Sequence, residues 1–272
     1  MTLNSNNNTH QVFTTIEKEL GYLSEELAGE FRNTGELASR TLSPEQLVTW
    51  AEKGLDLANC SRPLSLEVAA AYLQASTVVL DILPFTSFLD WVQGGKALCL
   101  LHPGMAVAYF QASPETLTSF SDDSIAIWLD IGRRLYRSIP ESVELASVFF
   151  TVTPGLIENL SLSRIERLVL FLNRLTVTSY TRAIECLNSA PRVFTRLEQD
   201  EQVLFLNLAS TLARIDPEGA VNFFQNGADI MSAIDRHQHK EYLSLITRIA
   251  QENARGALSF FFDCSPLFHE ID

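Results

Sequence analysis

The feature that most constrains this chain is a recurring mark: a small residue followed by Pro or by a second small residue, with two bulky apolar residues just upstream. Ser76-Thr77, Ser113-Pro114, Thr153-Pro154, Ala190-Pro191, Gly227-Ala228 and Ser265-Pro266 follow one another at intervals of 37, 40, 37, 37 and 38 residues. Four to five residues before them stand Tyr72-Leu73, Tyr109-Phe110, Phe149-Phe150, Cys186-Leu187, Phe223-Phe224 and Phe261-Phe262. An anchor recurs 23 to 27 residues before each mark: Trp50, Trp91, Trp128, Leu168, Phe205 and Leu243. Four residues after the anchors come Gly54, Gly95 and Gly132, then Leu172, Ala209 and Thr247, so a close-packing slot in three units becomes ordinary in the other three. A fixed period of this length signifies a stacked repeat.

Within a unit the period is helical. Ile125, Trp128, Leu129, Gly132 and Leu135 recur at steps of three and four, the stripe of an amphipathic helix. Ser43-Pro44-Glu45-Gln46 combines a Ser N-cap, Pro at the first helical position and a Gln able to close a capping box. Asp216-Pro217 and Ser113-Pro114 repeat the start signal. Apolar runs such as 97–101 and 148–152 have strand propensity, but they fall inside the helical pattern and lack hairpin turns. The spacing therefore predicts an all-α chain, an α-solenoid of about six degenerate repeats of 37–40 residues over 43–272. In each, a long helix and a turn precede a second helix, and the mark opens a short Pro-started turn. One such pair cannot bury its anchor and its apolar pair alone, whereas stacked neighbours cover each other. Residues 11–42, with Phe13, Ile16, Leu20, Leu23, Leu27 and Phe31 at helical spacing, read as an amino-terminal capping helix. Residues 1–10, rich in Asn and Thr, read as a disordered tail. At the other end Phe260-Phe261-Phe262 and Leu267-Phe268 lack a polar cap, as expected of an excerpt from a longer protein.

Composition removes several functions. A net charge of −13 and a pI near 4.8 oppose phosphate-backbone binding, so nucleic acid is not expected as a partner. Cys60, Cys99, Cys186 and Cys264 show no C-x-x-C spacing, which fits a reducing cytoplasm. The amino terminus lacks a basic-then-apolar leader. No apolar stretch approaches the roughly 18 to 20 residues of a membrane span, so no membrane role is expected.

Charge is uneven along the array. Between 121 and 197 nine bases meet eight carboxylates, and every base is an arginine, whereas 198–272 holds five bases against twelve acids. Guanidinium pairs bidentately with carboxylate, so Arg133, Arg134, Arg137, Arg164, Arg167 and Arg174 are the candidate docking residues for an acidic protein partner. The competing reading makes them solvated faces paired along their own helix, Arg164 with Glu166 for instance.

Catalytic chemistry finds no candidates. His237-Gln-His239 is the one close histidine pair, and at helical pitch its members diverge, so a shared metal is not expected. His102 precedes Pro103 in a connector, and His10 and His269 lie near the termini. Gly94-Gly95-Lys96 lacks the first Gly and the Ser or Thr of a phosphate loop, since Asp90 and Ala97 stand there. Asp122-Asp123-Ser124 precedes a helix, where carboxylates cap amides. No G-x-S-x-G is present, and no cofactor is expected.

The run Leu42-Ser43-Pro44-Glu45-Gln46-Leu47, then Trp50-Ala51-Glu52, Gly54-Leu55, Ala69-Ala70-Ala71-Tyr72-Leu73 and Ala75-Ser76, with its echo from Trp91 to Pro114, resembles the helical amino-terminal region of bacterial von Willebrand factor A domain proteins. The resemblance covers about residues 40–160. It implies work beside a MoxR-type AAA+ ATPase, as in the activators of nitric oxide reductase and of Rubisco. The D-x-S-x-S metal loop of the von Willebrand domain is absent, Asp263-Cys264-Ser265 lacking its second Ser, so that domain's metal residues do not carry over. The expected function is a non-catalytic interaction scaffold or adaptor for such an ATPase or its target. One alternative is an enzyme whose site is assembled in a repeat cavity. A second is a tetratricopeptide-like peptide binder, which a period near 37 rather than 34 opposes. If His237 and His239 are connector residues, dialysis against a chelator leaves the melting temperature unchanged; a fall of several degrees would restore a metal role to them.

Overall fold

The computed structural model describes residues 3–60, 64–120, 122–138 and 143–263, and every regular element among them is helical. The chain divides into two compact units, 1–130 and 131–272. Unit 1 holds α1 (Leu3–Leu23), α2 (Glu25–Ala38), α3 (Pro44–Ala58), α4 (Ser65–Ile82), α5 (Phe85–Leu101) and α6 (Pro103–Leu117); α7 (Asp122–Ser138) contains the boundary. Unit 2 continues with α8 (Val143–Ile157), α9 (Leu162–Thr176), α10 (Tyr180–Phe194), α11 (Gln199–Ile215), α12 (Pro217–Ser232), a 3-10 turn (Arg236–Gln238), α13 (His239–Glu252) and α14 (Ala254–Asp263).

Each unit is a two-layer stack of helical hairpins. In unit 1, α1, α3 and α5 form one layer and α2, α4 and α6 the other; in unit 2, α9, α11 and α13 face α8, α10, α12 and α14. Within each unit, hairpin mates pack on one another, as α3 on α4 and α11 on α12, and alternate helices pack side by side, as α4 on α6 and α11 on α13. The capping segment is itself a hairpin, because Ser24 adopts an extended backbone and its Oγ accepts the Leu27 amide at 3.2 Å, ending α1 and starting α2. Phe13 and Phe31 stack on Trp50, which brings both helices onto the first anchor. Helix α1 begins at Leu3 and so takes in residues 3–10 of the stretch read as a tail.

The start signals hold at Ser43, where Oγ accepts the Gln46 amide and Gln46 Oε1 accepts the Ser43 amide, and at Asp216, whose Oδ1 accepts the Gly219 amide at 3.0 Å. They fail at Ser113. Pro114, Pro154 and Pro191 lie inside α6, α8 and α10, three residues before each helix ends, so the marks open no new turn. Their small residues have another role. Ser76 Oγ accepts the Trp50 indole N–H at 2.9 Å, and Ser113 Oγ accepts that of Trp91 at 2.8 Å. Tyr72 and Tyr109 donate their hydroxyls back to the Trp50 and Trp91 carbonyls. The sixth mark, Ser265-Pro266, lies outside the described residues, as do Cys264, Leu267-Phe268 and His269.

Helix α4 corrects one exclusion. Its 18 residues have a mean hydropathy of 1.2, long and apolar enough by composition to cross a membrane. In the structure it packs between α2, α3 and α6, with Val68, Tyr72, Leu73 and Val79 fully buried.

The glycine slot is real but unequal. A Cβ on Gly95 would come within 2.0 Å of the Phe110 ring, and one on Gly132 within 2.2 Å of Phe150, whereas at Gly54 the nearest atom stays at 3.5 Å. Phe110 and Phe150 are fully buried and their rings cannot yield by bending. Gly95→Ala and Gly132→Ala are therefore expected to cost about 1–3 kcal/mol. Gly54→Ala is expected to be neutral or to stabilise by up to about 1 kcal/mol through helix propensity. Urea unfolding of the three variants checks the contrast, and equal effects would refute the slot.

Candidate partner-binding surface

The six arginines singled out lie on two helices, Arg133, Arg134 and Arg137 on α7 and Arg164, Arg167 and Arg174 on α9. All six belong to unit 2. The expected pairing of Arg164 with Glu166 does not form. Glu166 instead accepts from Arg134 at 2.6 Å, one repeat back, because adjacent helices bring their outer faces closer than neighbours two apart on one helix. Arg164 reaches Gln199 Oε1 at 3.4 Å, Arg167 reaches Asn207 Oδ1 at 3.5 Å, and Arg174 donates to the Ser210 carbonyl at 3.1 Å. These three acceptors are uncharged. Arg133 and Arg137 have no ion pair among the described residues.

Four further bases of the unit are matched with carboxylates, again about one repeat apart in sequence: Arg182 with Glu218, Arg192 with Asp229, Arg236 with Glu198 and Lys240 with Asp200. The last contact holds the Asp200 carboxyl below its ordinary range and raises the Lys240 ammonium above its own. Such surface rungs contribute little each, up to about 1 kcal/mol. Their effect here is to sort the arginines into neutralised ones and charged ones. A charge separated by one period from its opposite is a signal present in the sequence that inspection helix by helix passes over.

One buried polar group escaped sequence reasoning. His239 is only 4% exposed, the first residue of α13, while His237 stays exposed in the 3-10 turn, so the pair does not converge. His239 Nε2 lies 3.0 Å from the Ile234 carbonyl and therefore donates to it. Nδ1 lies 3.3 Å from Oε1 of Glu201, itself 4% exposed, and Glu201 Oε2 accepts the Glu198 amide at 2.6 Å. Beside this tie, Gln202 donates to the carbonyls of Asn159 and Leu197 at 3.0 and 3.1 Å, joining two turns one repeat apart. Above it a groove of about 840 Å³ is lined by Glu158, Asn159, Arg164, Gln199, Val203 and Lys240.

The remaining motifs are structural. Gly95 packs under Phe110 within α5, and Lys96 pairs with Asp56 at 3.0 Å. His102 Nδ1 caps α6 by accepting the Gly104 amide at 3.1 Å. Asp122 opens α7. Burial pushes the Cys99 and Cys186 thiols up to about 12, with a Cys60 hydrogen bond adding at Cys99, so neither is an activated nucleophile. No group of three or more His, Cys, Asp or Glu side chains is placed to hold a metal among the described residues.

No family model, curated protein or solved structure matches this chain.

The buried tie yields a double-mutant test. His239→Leu is expected to cost about 3 kcal/mol or more by leaving the Glu201 carboxylate enclosed without its partner. Combining it with Glu201→Leu should recover part of that loss. Chemical unfolding of the two single variants and the double decides it, and strictly additive losses would show that the two side chains do not interact.

Proposed function

We propose that the chain is a non-catalytic scaffold that binds an acidic protein surface through the arginines of α7 and α9. The observation that carries this reading is the sorting of charge in unit 2. Arg133, Arg137, Arg164, Arg167 and Arg174 keep their charge without a carboxylate partner among the described residues, whereas Arg134, Arg182, Arg192, Arg236 and Lys240 are matched. Leu170 adds apolar area within this basic face, exposed between Arg167 and Arg174 on one stripe of α9. Unneutralised guanidinium next to exposed apolar surface suits a partner that offers carboxylates around apolar side chains. The resemblance of the first repeats to proteins that work with MoxR-type AAA+ ATPases makes such an ATPase, or its client, the partner to try first. The cysteine spacing supports a cytoplasmic setting.

Replacing Arg133, Arg137 and Arg167 together by Glu is expected to weaken association, mainly through a slower on-rate, with the deficit shrinking as salt is raised. The melting temperature should stay within a few degrees of the parent's, because exposed arginines contribute at most about 1 kcal/mol each. Surface plasmon resonance against the candidate ATPase at two salt concentrations provides the measurement. Equal affinity of variant and parent at both would refute this surface.

A further inference from the structure

Arg137, Arg174 and Arg214 stand in the last turns of α7, α9 and α11, and Arg248 lies one turn from the end of α13. All four are exposed. None forms an ion pair among the described residues, and the only acceptor any of them meets there is the Ser210 carbonyl, which takes Arg174. Because α9, α11 and α13 are alternate members of one hairpin stack, they run parallel and their carboxyl ends share one edge of unit 2. Val177 and Ile215, 84% and 51% exposed, sit on that edge beside Arg174 and Arg214.

Helix dipoles favour a cation at a carboxyl end by about 0.3–1 kcal/mol, but they act on every helix alike. The last turns of α1, α3 and α5 carry no base, so the dipole does not account for the row in unit 2. Nearby carboxylates are engaged elsewhere: Asp216 caps α12 through Gly219, and Glu218 pairs with Arg182. Glu144 and Glu252 also lie toward this edge and lower its potential without an ion pair to any of the four arginines.

We propose that this edge binds an extended acidic segment of a partner protein, running across the helix ends with a carboxylate at every third residue and apolar side chains between. The inference rests on the scaffold reading and names the chemistry of its partner. Packed parallel helices lie about 8–10 Å apart. A segment in polyproline II conformation advances about 3.1 Å per residue with three residues per turn, so every third side chain returns to one face about 9 Å further on and brings one carboxylate to each of Arg174, Arg214 and Arg248. The residues between place apolar groups over Val177 and Ile215.

The test uses the full chain and two fluorescent peptides of identical composition in fluorescence anisotropy, one with Glu at every third residue among Leu and Val, the other with its Glu residues clustered at one end. The in-register peptide should bind about tenfold more tightly, a difference of about 1.4 kcal/mol. Arg174→Glu with Arg214→Glu should remove that preference, and the milder Arg174→Gln with Arg214→Gln should reduce it. Val177→Ser with Ile215→Ser should weaken binding by a factor that does not change with salt. Equal binding of the two peptides, or an unchanged preference in the arginine variants, overturns the proposal. The two readings separate cleanly in the same series. If Arg133→Glu with Arg164→Glu and Arg167→Glu weakens the ATPase while Arg214→Glu with Arg248→Glu does not, the scaffold stands and the edge falls; if neither set matters, both fall.

Discussion

A buried indole needs an acceptor, and that need organises much of the chain. Leaving an indole N–H unpaired in the core would cost about 1–3 kcal/mol. Trp50 and Trp91 therefore each require a hydroxyl on the facing helix, which Ser76 and Ser113 supply, and those hydroxyls also bond back to the carbonyls of Leu73 and Tyr109. Where the anchor becomes Leu168 or Phe205 the donor vanishes, and the facing position becomes Ala190 or Gly227. The contact then reverses. In the Trp units at Gly95 and Gly132 a phenylalanine of the second helix lies over a glycine of the first, whereas Phe205 of the first helix lies over Gly227 of the second, 2.5 Å from where a Cβ would stand. Two kinds of repeat follow from which helix contributes the large ring.

Once each hairpin meets its polar needs internally, the outer faces are released for contacts between hairpins. Those contacts recur with the repeat: Lys96 with Asp56, Arg134 with Glu166, Arg192 with Asp229 and Lys240 with Asp200 each join residues 32 to 40 apart. Single rungs of this kind contribute little to stability. They do decide which charges remain without an ion pair among the described residues.

Periodicity reports the face on which a residue lies but not what faces it. That distinction separates what was legible from what was not. The helices, the Ser43 capping box and the glycine slots at Gly95 and Gly132 followed from spacing alone. The Ser-Pro marks were seen but misassigned, because Pro at a first turn and Pro in a last turn look alike until the partner of the preceding hydroxyl is known. Ser24 followed by two glutamates was a start signal hidden by an unbroken apolar period across α1 and α2. His239 looked like a connector residue because its segment is polar; its burial depends on Glu201, 38 residues away and invisible to any local window. The apolar character of α4 was underestimated because its charged residues, Glu67 and Asp81, stand at its two ends, leaving a long uncharged interior.

The two edges of the layer formed by α9, α11 and α13 differ in a way that bears on binding. At the amino ends, Glu198, Asp200 and Glu201 are answered by Arg236, Lys240 and His239, so acids favoured there by the helix dipole are consumed in joining α11 to α13. At the carboxyl ends, bases favoured by the same dipole receive no such answer. A stack that needed only cohesion would gain by matching both edges. Leaving one edge charged lowers stability slightly through repulsion among its arginines, a cost kept small by solvent screening and by spacings near one Debye length. In a chain of net charge −13 that edge is a local exception, and its field draws acidic surfaces while the rest of the molecule repels them. The compensated edge thus joins α11 to α13, and the uncompensated edge is the one along which the proposed acidic segment would lie.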